Sequence, residues 1–526
     1  MKHSMKRVFA ATGLVAAAAL VLSGCAGGAQ PTTGEAAGGG KSIVVDASFD
    51  LKTADPGRQY ETTGSIVAKA LYETLLTFNG EDVTKPVDGL ASYEMNEDNT
   101  VLTLTMKPGA KFSDGSDVTV DDAVFSLTRV QGILGNPSFL LEGVTVEKTG
   151  DDTLTLTSET PNPALPFILP NPALSVLNQE VVEANGGSAD ESDGAEAFLN
   201  GESAGSGPYM LESFDAAAQV VFKANPEYAG DKPAYDRVVL RNVEGPTQKL
   251  NVEKGESQVA LDLNPDQVAE LASADVKVVS NPSRYMIFLL LNQNPEISEI
   301  TSNPDFLQAV KLGLDYDKIV SLAGEGSVRP GGPIPSLFVG AIDAKQGNQR
   351  DVDAAQAALA KSGYAGEKVT LNFPNDITVQ GLSLQNVAEA VQAQLSEVGI
   401  EVALAPAPVA TELDAYRNGT ETIGLWYWGP DFPDASNYTV FSPGELVGLR
   451  SGWAADANAK VTELSNAAKA ATGDDRAPAY EAWQDELNAS GPFVPLLQPA
   501  QNVVTSPSIE SITTNPVWTV DLALIK

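Results

Sequence analysis

Two residue types are nearly missing from this chain of 526 residues. His3 is its one histidine and Cys25 its one cysteine. Everything beyond Cys25 therefore lacks an imidazole base, a thiol nucleophile and the soft ligands of zinc. That removes Ser-His-Asp and Cys-His catalysis, His or Cys metal centres and disulfides together. Carboxylates, lysines, tyrosines and hydroxyls remain for chemistry, and they gather with aromatics in one stretch, Trp426-Tyr-Trp-Gly-Pro-Asp-Phe-Pro-Asp-Ala-Ser-Asn-Tyr438. Trp426, Tyr427 and Trp428 supply apolar surface, Gly429 lets a neighbour approach the backbone, and Asp431 and Asp434 supply charge. Together they outline a pocket wall for a solute with an apolar body and a cationic end. Two other readings compete. The stretch also fits a proline-stiffened turn whose tryptophans are core anchors, and Asp431 with Asp434 could form the acid and base of a histidine-free hydrolase.

The elements that must hold such a wall are those of a large extracytoplasmic protein. The length calls for two or three domains, and 43% apolar with 19% charged residues is an ordinary globular composition. Met1 to Arg7 is basic, and Val8 to Leu22 is an apolar run of 15 residues, shorter than the roughly 20 of a membrane span. It ends in Leu22-Ser-Gly-Cys25, which resembles the bacterial lipobox. Residues 1–24 are thus expected to be a lipoprotein signal peptide, Cys25 the lipidated residue, and 25–40 a flexible tether to the membrane. Lys2, Lys6 and Arg7 are the only charged residues of the signal segment, leaving 30 cations against 69 anions. That balance, without a basic patch, excludes nucleic acid as a partner. Gly34 to Ser42 imitates a phosphate-binding loop, but its first glycine is misplaced and no strand precedes it, so no nucleotide site is expected.

Along the body, Ser42 to Phe49 reads as a strand and Ile66 to Leu76 as a helix. Leu102, Leu104 and Met106 alternate as on a half-buried strand, Asp114-Gly115 fits a tight turn, and Asp121 or Asp122 falls near a helix start. Val369 to Leu404 offers a strand, a helix over Leu384 to Val398 and a second strand from Ile400, a βαβ unit that fixes the class as α/β or mixed. The acidic, Gly-rich Glu183 to Gly205 is expected as a surface loop.

Leu90 to Met95, Leu102 to Gly115 and Val118 to Arg129 resemble the signature of the family 5 solute-binding proteins, the extracytoplasmic receptors of oligopeptide and dipeptide ABC importers. The resemblance continues through Leu71-Tyr-Glu-Thr-Leu75, Gly205-Ser-Gly-Pro-Tyr209, Asn225 to Gly230, Phe288 to Asn292 and Asp351 to Gly363. It implies a two-lobed periplasmic-binding-protein-like fold of three domains. The first lobe is expected over 41–77, 203–280 and 492–526, a smaller inserted domain over 78–202 and the second lobe over 281–491.

The resemblance also implies roles. Trp428, Gly429 and Asp431 fill the places where peptide receptors carry a tryptophan, a small residue and the aspartate that binds the peptide's α-amino group. Asp434 is the alternative anchor. Tyr60 and Thr62 are expected to line the cleft from the first lobe, Phe139 from the smaller domain, and Arg284 with Tyr285 from the start of the second, Arg284 as partner for a ligand carboxylate. The implied function is capture of peptides by hinge closure and delivery to a permease, by a monomer without cofactor, metal or catalytic activity. Oligosaccharide is the alternative cargo, since Trp426, Tyr427 and Trp428 could stack on sugar rings.

Overall fold

The computed structural model describes residues 40–271 and 275–526. The signal segment, Cys25 and residues 26–39 of the tether lie outside the described residues. Among the described residues no helix is long and apolar enough to cross a membrane.

Three sheets organise the body. In the first lobe, Ser42–Ala47 pairs in parallel with Arg237–Asn242 and with Val259–Ala260. The sheet is completed by Gln219–Ala224, Tyr209–Asp215, Ala500–Thr505 and Lys277–Pro282, seven strands drawn from both ends of the chain. The discontinuity follows from parallel pairing, because parallel neighbours need crossover connections and the intervening chain must leave and return. The helix Thr62–Leu71 packs its Ile66, Val67, Ala70 and Leu71 into this lobe's core.

The smaller domain is built on four antiparallel strands, Ala91–Met95, Val101–Met106, Thr153–Ser158 and Val144–Lys148. Leu102 and Leu104 are fully buried as their alternation requires, against the helix Val120–Gly132. That helix begins with a reciprocal cap: Thr119 accepts from the Asp122 backbone N–H, while the Asp122 carboxylate accepts from the Thr119 N–H at 2.9 Å. Arg129 on its inner face is fully buried. It forks onto Asp55 of the first lobe at 2.9 and 2.6 Å and onto Asp193 at 2.8 Å. Most of 183–205 is exposed, as expected of a surface loop, but it is anchored: Asp193 neutralises a buried guanidinium, and Ala195 and Leu199 are core residues.

The second lobe is a five-stranded sheet in the order Val402–Ala407, Val369–Pro374, Ile423–Trp428, Met286–Leu291, Phe493–Leu497. The first two strands are parallel and joined through the helix Leu384–Glu397, the expected βαβ unit. Met286–Leu291 is apolar at every position because both faces are covered: Ile287, Leu289 and Leu291 enter one core, Phe288 and Leu290 another.

The chain passes between lobes at Ser283–Tyr285 and at Gln498–Pro499. The two crossings are tied together, with Ser283 N–H donating to the Pro499 carbonyl at 2.9 Å and the buried Gln498 Nε2 donating to the Ser283 carbonyl at 2.6 Å. Both fall later than the expected boundaries. Lys277–Pro282 stays in the first sheet through Pro282, and Phe493–Leu497 belongs to the second, so a division at 491/492 would cut that strand from its neighbours.

Candidate ligand-binding cleft

Strand Ile423–Trp428 ends at the lobe boundary, and the following Gly429-Pro430-Asp431 turn carries Asp431 into a cavity of about 220 Å³. Tyr60, Asn171, Arg284, Tyr285 and Tyr427 share its lining. The carboxylate is held by neutral donors from different parts of the fold. The Tyr60 hydroxyl of the first lobe donates to Oδ1 at 2.7 Å, and Asn437 Nδ2 donates to Oδ2 at 3.4 Å. Asn437 is itself oriented by the Trp428 indole N–H at 3.3 Å. From the smaller domain, Asn171 Nδ2 reaches the Asp431 backbone carbonyl at 3.3 Å. Burial, and then the Asp431 charge, raise the Tyr60 hydroxyl above its ordinary pKa, so it remains a donor. Among the described residues no cation forms an ion pair with Asp431.

Arg284 and Tyr285 stand at the first crossing, which is why they face the cleft. Arg284 Nη2 donates to the Tyr285 hydroxyl at 3.3 Å, and the guanidinium pairs with no carboxylate among the described residues. Its charge lowers the Tyr285 pKa against the opposing effect of burial. The Tyr438 hydroxyl fixes the Arg284 carbonyl at 3.2 Å. The Tyr285 ring lies directly on Gly429, where a Cβ would sit 2.6 Å from its Cδ1. It meets Tyr427 edge-on at 5.9 Å between centroids. Those two tyrosines also border a second cavity of about 520 Å³, which Thr62 lines from the first lobe and the hairpin Thr378–Val379, Leu382–Ser383 from the second.

The remaining candidates are placed elsewhere. Asp434 is 2% exposed, caps the 3₁₀ helix Ala435–Phe441 through the Ser436 N–H at 2.9 Å, and pairs with Arg476 at 2.8 Å, so its charge is already satisfied. It lines neither cavity, and its carboxylate is engaged by Arg476 instead of facing the Asp431 cavity. Trp426 is buried, stacked on Tyr416 at 4.3 Å with its indole N–H on Glu421. Trp428 acts through Asn437. Phe139 is 43% exposed and meets Tyr60 edge-on at 5.5 Å.

Two residues at the cleft, Asn437 and Asn171, carried no role in the sequence, and Tyr427 was named only together with the tryptophans on either side of it. Tyr427 was readable: on a strand its side chain opposes those of Trp426 and Trp428, so only one set can face the cavity. Asn437 lies six residues beyond Asp431 in the same stretch. Asn171, in Leu169-Pro-Asn-Pro172, carries no signal.

The comparisons with known proteins agree with this geometry. The model of bacterial extracellular solute-binding proteins, family 5 (middle part), matches residues 85–444. The probable D,D-dipeptide-binding periplasmic protein DdpA of Escherichia coli strain K12 is 26% identical over 489 residues, 90% of this chain and 92% of that protein. The ABC transporter substrate binding protein CtaP of Listeria monocytogenes shares the fold at a TM-score of 0.80 and 18% identity, over 92% of this chain and 99% of the other. The periplasmic binding protein DppA of Helicobacter pylori, solved with the peptide STSA, superposes at a TM-score of 0.69 and 20% identity, over 91% and 97%. These are substrate-binding proteins, a family that binds without catalysis. With its signature elements, two lobes and interlobe cleft, this chain belongs to family 5 of the bacterial extracellular solute-binding proteins.

Proposed function

We propose that this protein is the substrate-binding lipoprotein of an ABC importer and that its cargo is peptide. One observation carries the reading: a single cavity between the lobes holds a carboxylate and a guanidinium, Asp431 and Arg284, neither paired with an opposite charge among the described residues. A receptor accepting varied side chains must draw affinity from what all peptides share, which is backbone and charged termini. Asp431 takes the ammonium and Arg284 the carboxylate, each worth more in a closed, water-poor cleft than in bulk solvent. The names of relatives support the cargo, one a probable D,D-dipeptide-binding protein and one solved with a peptide.

The lobes close about the tied crossings at Ser283–Tyr285 and Gln498–Pro499, and the closed monomer presents its ligand to the permease. Cys25 anchors it outside the cytoplasm. The oligosaccharide alternative loses its stacking platform, because Trp426 is in the core and Tyr427 alone of the three aromatics opens to the cavities. Native mass spectrometry of the purified protein tests the cargo. Retained masses should match peptides, and incubation should return them unchanged; a retained sugar, or turnover, would refute the reading.

A further inference from the structure

The larger interlobe cavity has a charge that the peptide termini do not explain. Its charged lining residues are Asp50, Glu244 and Asp262, and no lysine or arginine lines it. Asp50 is committed to the start of helix Thr62–Leu71, accepting from the N–H groups of Thr62 and Thr63 at 3.2 and 3.0 Å. Glu244 immediately precedes helix Gly245–Lys254, and its side chain makes no capping bond. Asp262 Oδ2 accepts from the Ser48 N–H at 2.7 Å and weakly from Gln248 Nε2 at 3.4 Å, while Oδ1 has no partner among the described residues. Asp262 is ringed by protein yet open to the cavity, so solvent reaches its carboxylate through that space. Burial first, then the charges of Asp50 and Glu244, raise its pKa. The two helix N-termini contribute about half a positive charge each, which leaves the three carboxylates in excess. Among the described residues no group of three His, Cys, Asp or Glu side chains is placed to hold a metal ion.

The cavity adjoins the proposed ligand site. It shares Tyr285 and Tyr427 with the Asp431 cavity, so a ligand anchored at Asp431 extends past those rings. Both lobes enclose it. The tip of hairpin Thr378–Ser383 presses on the first lobe where Gly381, at φ +77°, would place a Cβ 2.6 Å from the Asn264 Cα. Resting on the peptide reading above, we infer that the receptor selects short peptides carrying a cationic side chain, with Asp431 holding the terminal ammonium and the Asp262–Glu244 cavity holding the side-chain cation.

Calorimetric titration of the full chain with alanyl-lysine, alanyl-norleucine and alanyl-glutamate tests this. Alanyl-lysine should bind roughly tenfold tighter than alanyl-norleucine, between the few-fold of an exposed pair and the thirtyfold or more of a buried one, and alanyl-glutamate weakest. The double variant Glu244→Gln with Asp262→Asn should bring alanyl-lysine down to alanyl-norleucine and leave alanyl-norleucine unchanged. Since Asn retains an acceptor for Ser48, an unchanged affinity for alanyl-norleucine also shows that the variant is folded. Equal affinities in the wild type, or a preference for alanyl-glutamate, would overturn the inference while leaving the peptide reading intact. Failure of all three dipeptides and of longer peptides to bind would overturn both.

Discussion

Glu421 allows a test of the second lobe that is independent of any ligand. It is 2% exposed, and its Oε2 accepts the Trp426 indole N–H at 2.8 Å. Oε1 has no regular hydrogen-bond partner and faces the carboxyl of Glu412, itself 6% exposed. Burial, with the neighbouring Glu412 adding to it and the indole N–H opposing, pushes the Glu421 carboxyl from its ordinary 4.5 up to about 9. Because the folded-state pKa is the raised one, the contribution to stability is fully present below about 4.5 and is lost as pH rises through about 9. Each pH unit in that window costs about 1.4 kcal/mol, so from pH 5.5 to 8.5 this one group removes up to about 4 kcal/mol. Glu421→Gln keeps an acceptor for Trp426 and a donor toward Glu412 without the titration. Urea denaturation at the two pH values, followed by tryptophan fluorescence, should show the wild type losing stability relative to the variant. Parallel pH profiles would refute the assignment of a protonated carboxyl beneath Trp426.

Other perturbations address the cleft and the anchor. Gly429→Ala puts a methyl into the Tyr285 ring, so overpacking should cost about 1–3 kcal/mol of stability in thermal unfolding and weaken ligand binding as the ring swings into the cavity; unchanged binding would detach Tyr285 from the site. Removing the Arg476 partner by Asp434→Ala leaves a guanidinium 7% exposed without its counter-charge. A loss of about 3–5 kcal/mol is expected in chemical denaturation, and a stable variant with selectively lost ligand binding would return Asp434 to the anchor role. Cys25→Ser should release the protein from the membrane fraction without altering its melting temperature, and undiminished retention would contradict lipidation.

Much of this architecture was legible in the sequence because it rests on local periodicity. Leu102 and Leu104 declared one face of a strand, and Val369 to Leu404 declared a βαβ crossover. The second lobe's end was not legible: Phe493–Leu497 is apolar throughout and would fit either sheet, and only its pairing with Met286–Leu291 decides. The anchoring of 183–205 was not legible either: its composition reads as solvated loop, and only the fold brings Asp193 to Arg129, 64 residues away in sequence. At the site, the Trp-Gly-Pro-Asp stretch pointed to Asp431, yet local sequence could not separate it from Asp434 three residues on. What separates them is long-range: Arg476 reaches Asp434, while Tyr60 and Asn171 reach Asp431. Asn171 and Asn437 are single amides in ordinary turns, and their role exists only where three parts of the fold converge.

The proposed hold of Asp431 on the peptide ammonium is measured directly by a double-perturbation cycle. Four calorimetric titrations combine the wild type and Asp431→Asn with a short peptide and its N-acetylated form. Breaking one partner of a buried charged pair costs about 2–5 kcal/mol, so either change alone should weaken binding by roughly 30-fold to several thousand-fold. Because both remove the same interaction, together they should cost far less than their sum. Full additivity, or no effect of either change, would contradict the account.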